Sequence, residues 1–168
     1  MIFIYHDFGG THTTSMAAAY HLKKLPYNRK LHKDEVLNIK YFNKITKHDA
    51  GKLIFHGKDD NDNLIYTLGR RKNKYVSKSL EELATLLQKE FKLKEKIIIS
   101  NTSPTVPIIM TIGGFLAKGL NINSLGTPLL IFGAKQCCFQ IKDLVLYTKK
   151  MSRSIDKGVV VLNNKQFK

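Results

Sequence analysis

The sequence predicts a three-layer α/β fold, in which a mainly parallel sheet carries helices on both faces and one β-hairpin is inserted. Two observations indicate this class. Short runs of β-branched and aromatic residues alternate with segments of helical periodicity, and turn-forming residues follow the apolar runs. The chain has 168 residues, of which 43% are hydrophobic, so it can bury one core. We therefore expect residues 1–168 to form a single α/β domain.

The first strand, turn and helix are predicted at the N-terminus. Residues 2–6 form an apolar run that stops at the turn residues Asp7-Phe8-Gly9-Gly10. Hydroxyl side chains follow, and we expect them to cap a helix that ends near Lys23 and Lys24; they are Thr11, Thr13, Thr14 and Ser15. A short helix at residues 34–37 and a helical turn at residues 46–49 come next.

A β-hairpin is predicted in the middle of the chain. Residues 53–55 and 64–68 are β-like runs, and residues 57–63 between them are polar enough to form an exposed loop. The segment Ser79-Leu80-Glu81-Glu82 has the pattern of a capping box and predicts the start of a helix that ends near Lys92.

Three further strands are predicted towards the C-terminus. Residues 97–99 are a run of three isoleucines, typical of a buried parallel strand, and polar residues 101–103 and Pro104 follow it. Residues 129–132 form an apolar run that precedes Gly133 and a helix, which predicts another strand. Residues 159–162 predict a last short strand.

The composition constrains the partners. A formal net charge of +15 favours a polyanion, because a basic surface releases counterions from phosphates on binding. Of the 28 basic residues, however, 24 are lysines spread along the whole chain, and arginine, the better bidentate ligand of phosphate, is scarce. A solvated lysine-rich surface is therefore the preferred interpretation, and binding of nucleic acid is kept as an alternative.

The sequence also bears on localisation. No apolar run approaches the roughly 20 residues that cross a bilayer, and Met1 leads directly into the first strand without a cationic stretch. Cys137 and Cys138 are adjacent, so by themselves they form neither a disulfide framework nor a recognisable metal site. We expect a cytoplasmic protein without a membrane partner, and the sequence indicates neither a cofactor nor an oligomeric state.

The strongest local signal is the segment of residues 6–14, His-Asp-Phe-Gly-Gly-Thr-His-Thr-Thr, between the first strand and the first helix. A glycine turn that leads into a helix N-terminus directs free N–H groups and a positive dipole at an anion. We predict a ligand site formed by this segment; its candidate binding residues are His6, Gly9, Gly10, Thr11, Thr13 and Thr14. Asp7 and His12 are the candidate catalytic residues, since His12 is expected to titrate near neutrality on an exposed loop.

Known phosphate-binding motifs do not match this segment. It lacks the lysine of the G-x-x-x-x-G-K-[ST] loop and the third glycine of the dinucleotide fingerprint. Over about a dozen residues it resembles the C-x-G-N-x-x-R-S loop of low-molecular-weight tyrosine phosphatases. That resemblance places Asp7 at the nucleophilic cysteine and Thr13 at the arginine, so it implies a similar loop geometry but not the same activity.

The chain as a whole is similar to one bacterial family. The segments that carry the resemblance are residues 4–14, 66–71, 101–104 and 112–116. They resemble the proteins grouped as domain of unknown function 3189. The resemblance implies a small cytoplasmic protein of mostly Gram-positive, often spore-forming bacteria, and it implies no particular activity.

Two more groups are expected to complete the site. Asn101, Thr102 and Ser103 follow the strand at residues 97–99, and they meet the glycine loop if that strand lies beside the first one. Arg70, after Gly69, is expected to reach in and neutralise a phosphate or carboxylate, whereas Arg71 is expected in an exposed turn. Two imidazoles and a carboxylate in residues 6–12 match no fixed ligand spacing, so no metal site is predicted.

These residues lead to two functional hypotheses. The first is a protein that binds a phosphorylated small molecule or nucleotide at residues 6–14, with phosphoryl transfer or phosphate-ester hydrolysis as the reaction class if it is an enzyme. The second is a non-enzymatic basic module that binds nucleic acid or an acidic protein. The first is preferred, because an electrostatic binding surface does not need the polar groups concentrated in one glycine loop.

Overall fold

A five-stranded sheet forms the centre of the protein. The computed structural model describes residues 1–154 and 158–168. The strand order is β2-β3-β1-β4-β5, and every neighbouring pair is parallel except β2 and β3, which form the antiparallel hairpin. The strands are β1 (Ile2–Asp7), β2 (Ile54–Lys58), β3 (Leu64–Gly69), β4 (Ile97–Asn101) and β5 (Val159–Leu162).

Helices cover both faces of this sheet, as predicted. They are α1 (Thr13–His21), α2 (Lys33–Leu37), α3 (Val76–Phe91), α4 (Ile108–Gly114) and α5 (Asn123–Arg153). Side chains alternate along β1, so Phe3 and Tyr5 join the large core formed with α1 and α5, whereas Ile4 joins a smaller cluster against α3. The predicted three-layer α/β fold is confirmed.

Most predicted elements are present, with small shifts at their ends. The hairpin, the short helix α2, a 3₁₀ turn at Lys47–Asp49, the buried strand β4 and the last strand β5 all form. Helix α1 ends at His21, slightly before the predicted end. No helix in the described part of the chain is long and apolar enough to cross a membrane.

The strand predicted at residues 129–132 is wrong. These residues lie inside α5, the longest helix of the protein. Leu130, Ala134 and Cys137 are fully buried at helical spacing, while Phe132 on the opposite side is 60% exposed. A four-residue apolar run within a longer helical stripe has the same local appearance as a buried strand, which explains the error.

The capping box predicted at residue 79 is also wrong. Helix α3 begins at Val76, one turn earlier, and the backbone N–H of Ser79 donates to the carbonyl of Tyr75 inside the helix. The preceding turn is set by Asn73, whose side chain accepts a hydrogen bond from the backbone N–H of Tyr75. The end of α3 at Phe91 agrees with the prediction.

The hairpin loop is less exposed than predicted, because one of its carboxylates is tied to the core. Asp59 contacts His21 Nε2 at 3.1 Å, and His21 Nδ1 lies 2.7 Å from the hydroxyl of Tyr5. Burial lowers the pKa of His21 to about 4, and nearby Lys149 adds to the effect. This buried chain of three side chains joins the hairpin, α1 and the central strand.

Candidate functional site

The candidate site lies at the carboxyl edge of the parallel strands. Strand β1 is central: the chain leaves it towards β2 and β3 on one side of the sheet and then crosses from β3 to β4 on the other side. In an open α/β sheet, such a switch point forms a crevice where ligands bind. The predicted residues His6 and Asp7 end β1, Arg70 follows β3, and residues 101–103 end and follow β4.

The glycine loop after β1 is clamped against the end of β3. Gly10 has a φ of +72°, and an added Cβ would lie 2.5 Å from the backbone nitrogen of Gly69. A Cβ on Gly69 would lie 2.7 Å from the carbonyl oxygen of Gly9. The backbone N–H groups of Arg70 and Arg71 donate to the carbonyls of Asp7 and Phe8, respectively. Only glycine at both positions allows this backbone-to-backbone contact.

Asp7 fills the inside of this loop. Its buried carboxylate accepts hydrogen bonds from the backbone N–H of Gly10 and from the hydroxyl of Thr13, at 2.8 Å. Burial raises the pKa of Asp7, and these hydrogen bonds together with nearby Arg70 oppose the shift. The carboxylate therefore organises the loop from within.

The ends of β1 and β4 meet as expected. The hydroxyls of Thr13 and Thr102 lie 3.0 Å apart, and the backbone N–H of Thr102 donates to the carbonyl of His6. Asn101 accepts from the backbone N–H of Ser103. Its amide group turns away towards the carbonyl of Asn163, beyond β5. Thr102 thus belongs to the loop's hydrogen-bond network, whereas Asn101 shapes the turn after β4.

The expected exposure of His12 is wrong. The ring packs edge-on against Phe42 at 5.2 Å between centroids, and its Nε2 lies 3.3 Å from Asn43 Oδ1. On another side it meets Gly114, where an added Cβ would be 3.3 Å from the ring. Burial, with a contribution from Lys118, lowers the pKa of His12 to about 4. His12 is therefore uncharged at neutral pH.

The threonines and the serine do not cap α1 as predicted. His12 occupies the N-cap position, and no side chain of the described residues caps this N-terminus. Thr11 instead holds residues 41–45, by donating to the carbonyl of Tyr41 and accepting from the N–H of Ile45. The first turn of α1 therefore keeps its free N–H groups, which no carbonyl within the helix can satisfy.

His6 is the most unusual polar group of the site. Its side chain is buried, with 3% of the residue exposed, and neither ring nitrogen has a hydrogen-bond partner among residues 1–154 and 158–168. Burial lowers the pKa of His6 to about 4, and the positive charge of Arg70 adds to this. By the alternation along β1, the ring lies on the α3 side of the sheet, opposite to Asp7.

The two arginines have different roles. The guanidinium of Arg70 donates to the carbonyl of Arg71 at 3.3 Å, and its charge lowers the pKa values of both His6 and Asp7. Arg71 is not simply part of an exposed turn. It lies over the ring of Phe8, and its guanidinium donates to the carbonyl of Thr46 at 2.9 Å.

Sequence reasoning missed the residues that cover the loop. The segment of residues 41–45, Gly114 and Lys118 pack over or face His12. The segment 41–45 carries no motif that distinguishes it from an ordinary connection. The pair Gly113-Gly114 was a usable signal, since adjacent glycines in a helix often mark a close approach.

The comparisons with known proteins identify a family. A family model described as "Protein of unknown function (DUF3189)" matches residues 2–150. No curated protein and no solved structure matches this chain. The matched range contains every residue of the candidate site. Within the described residues, no group of three histidine, cysteine or acidic side chains is placed to hold a metal ion.

Proposed function

The chain belongs to the DUF3189 family, and we propose that its site binds the phosphate group of a small molecule or nucleotide. One observation carries the proposal: the N-terminus of α1, which no side chain of the described residues caps, lies at the switch point between β1 and β4, directly after a glycine loop. Free N–H groups and the positive end of a helix dipole favour an anion at this place. Arg70 adds a cation beside the strand ends.

The proposal gives the glycines and the free hydroxyl of the loop a task each, without assigning a known activity. Gly9 and Gly10 bring the backbone close to the ligand, and the hydroxyl of Thr14, buried without a partner among the described residues, supplies a further donor. In sequence, the loop resembles the signature loop of low-molecular-weight tyrosine phosphatases. It lacks the cysteine and the arginine of that loop, so we do not transfer their reaction.

Phosphoryl transfer or phosphate-ester hydrolysis is the reaction class that fits such a site. His12 is the candidate acid–base group, since a bound phosphate dianion favours the charged imidazole and raises its pKa. Asp7 has a positioning role, because its carboxylate is already held by Gly10 and Thr13. We place this activity in a bacterial cytoplasm, where the buried thiols of Cys137 and Cys138 stay reduced.

We expect Arg70→Gln to weaken the binding of inorganic phosphate and adenosine monophosphate at least about tenfold, because a charge-assisted contact is lost. Lys72→Gln is the matched control: it removes the same charge two residues away from an exposed side chain. Isothermal titration of the wild type and both variants measures the effect. Equal losses in the two variants, or no binding of either probe to the wild type, contradict the proposal.

We expect Asp7→Asn to strengthen phosphate binding by about tenfold, because it removes a negative charge beside a dianion. Asparagine keeps an oxygen for the N–H of Gly10, so the free energy of unfolding should change by less than about 1 kcal/mol. Asp7→Ala removes that acceptor and should cost about 1–3 kcal/mol. If folded Asp7→Asn protein no longer binds phosphate, the carboxyl group contacts the ligand and the positioning role is wrong.

The nucleic-acid alternative is distinguished by salt. Backbone contacts with a nucleic acid depend on counterion release, so the logarithm of the affinity falls steeply with the logarithm of the salt concentration. If the loop binds only one phosphate group, the affinity for a nucleotide should depend weakly on salt concentration.

A further inference from the structure

A cavity lies beside α1 and shares no residue with the glycine loop. It has a volume of about 350 Å³ and is enclosed by α1, by α2 with the residues that follow it, and by β2. Its aliphatic wall consists of Ala19, Leu22, Leu25 and Ile39. At roughly 30 Å³ for a water-sized group, this volume holds about a dozen non-hydrogen atoms. The cavity is large enough for a small metabolite.

The inner wall of the cavity carries two uncharged polar groups. His56 is buried, and its Nε2 lies 3.0 Å from the hydroxyl of Thr67 on β3. Burial lowers the pKa of His56 to about 4, and the charges of Lys40 and Lys24 add to the shift. The hydroxyl of Ser15 on α1 has no hydrogen-bond partner in the part of the chain that is described. Because the imidazole and the hydroxyl carry no charge, they can lie against either a polar or an apolar part of a ligand.

The mouth of the cavity has an excess of positive charge. Lys24 and Lys40 are both exposed and line it, and their charges contribute to the lowered pKa of His56. Neither forms an ion pair with a described residue; Lys40 contacts only the carbonyl of Phe55 and the ring of Tyr41. The carboxylate of Glu35 at the same mouth is paired with Arg29 at 2.6 Å. Among the described residues that line the mouth, Asp34 is then the one negative charge that offsets the two lysines.

We propose that this cavity binds a small aliphatic carboxylate, with its apolar body against α1 and its carboxylate between Lys24 and Lys40. The aliphatic wall supplies the affinity for the body, at about 25 cal/mol per Å² of apolar surface buried. The lysines supply the preference for a single negative charge. A bare phosphate fits less well, since it has no apolar part to bury and the mouth carries a net charge of only about +1.

The test uses 4-methylpentanoate as the probe and isotope-labelled wild-type protein in a nuclear magnetic resonance titration. We expect saturable shifts of the backbone amides of Ala19, Ile39 and His56. The alcohol 4-methylpentan-1-ol has the same body without the charge and should bind at least fivefold more weakly. Inorganic phosphate should leave these three amides unshifted, even where it shifts those of the glycine loop.

Two double variants test whether the lysines at the mouth are required for binding the carboxylate. The double variant Lys24→Gln and Lys40→Gln should weaken 4-methylpentanoate binding at least about tenfold. The double variant Lys33→Gln and Lys44→Gln removes two exposed lysines that do not line the cavity and should leave it unchanged. No saturable shift at the three amides, equal affinity for acid and alcohol, or equal affinity in both double variants overturns the proposal. None of these results depends on phosphate binding at the loop.

Discussion

Replacing Gly10 by alanine is expected to cost about 2–5 kcal/mol of the free energy of unfolding. Two effects add. A non-glycine residue at a φ of +72° is strained by about 1–2 kcal/mol. The new Cβ would also lie 2.5 Å from the nitrogen and 2.8 Å from the Cα of Gly69, and overpacking of this kind costs about 1–3 kcal/mol. The opposing atoms are backbone, so no rotamer change relieves the contact.

Two other glycines separate these effects. Gly51 has a similar φ of +80°, but no atom lies within 4 Å of an added Cβ, so Gly51→Ala measures the conformational strain alone. Gly69 lacks a positive φ but meets the carbonyl of Gly9 at 2.7 Å, so Gly69→Ala measures the contact alone. Urea unfolding of the three variants gives the comparison. If Gly10→Ala costs no more than Gly51→Ala, the clamp between the loop and β3 does not contribute to stability.

The same substitution tests whether the clamp matters for the proposed site. Folded Gly10→Ala protein must move the loop away from β3, and this displaces the first turn of α1 from the end of β1. We therefore expect the loss of phosphate binding to exceed what the loss of stability explains. Gly51→Ala adds no contact to the loop, although the N–H of Gly51 donates to the carbonyl of Gly69, and it should bind phosphate as the wild type does.

Local signals account for what the sequence predicted correctly. The apolar run of β1, the glycine turn and the helical residues after it are each specified by neighbouring residues, so their placement does not depend on the rest of the fold. The isoleucine run of β4 also indicates burial on both faces, and its parallel pairing with β1 then follows from the alternation of strands and helices. This is why Thr102 was expected near the loop.

The remainder depends on contacts between distant residues. The direction of the Asp7 side chain is decided by the backbone N–H of Gly10 and by Thr13, and its sequence context does not show that the carboxylate turns inward. The partial burial of His12 comes from Phe42 and Gly114, which lie about 30 and 100 residues away along the chain. A single sequence carries no pairing signal for such contacts, so an exposed histidine was the natural expectation.

We expect the protein to lose its stability steeply between pH 6.5 and pH 4. Burial lowers the pKa values of four histidines to about 4; they are His6, His12, His21 and His56. In the unfolded chain, the pKa of histidine is about 6.5. Above that value both states are uncharged and the histidines have no effect. As the pH falls through 6.5, these histidines become protonated in the unfolded state but not in the folded state, so the free energy of unfolding decreases.

The expected loss of stability in acid is large compared with the free energy of unfolding of a typical domain. With pKa values of about 4 and 6.5, each histidine lowers the free energy of unfolding by roughly 2 kcal/mol at pH 5. Four of them approach the whole stability of a typical domain, about 5–15 kcal/mol. Carboxyl groups also modify the curve, and the pKa values of the exposed Glu35 and Asp49, lowered to about 2 by their hydrogen bonds, add a loss of stability below pH 4. The raised pKa of Asp7 favours the folded state on acidification, whereas the pKa of Asp59, lowered to about 2, adds a loss of stability below pH 4.

His6 offers the cleanest variant for this prediction. Its ring nitrogens have no partner in the described residues, so His6→Leu removes two buried unsatisfied groups and should keep or raise the stability at pH 7. At pH 5 the free energy of unfolding of the variant should exceed that of the wild type by about 2 kcal/mol. The reason is that the unfolded variant has one histidine fewer to protonate. His48→Gln removes an exposed histidine and should leave the acid transition where it is.

Urea unfolding at a series of pH values measures this prediction, because the slope of stability against pH counts the protons taken up on unfolding. We expect a slope near 5 kcal/mol per pH unit for the wild type around pH 5, and about one quarter less for His6→Leu. An unchanged slope in His6→Leu would mean that His6 is protonated in the folded protein. A charged, buried imidazole then requires an anionic partner at the end of β1, and a phosphate that shifts the acid transition of the wild type but not of His6→Leu would identify it.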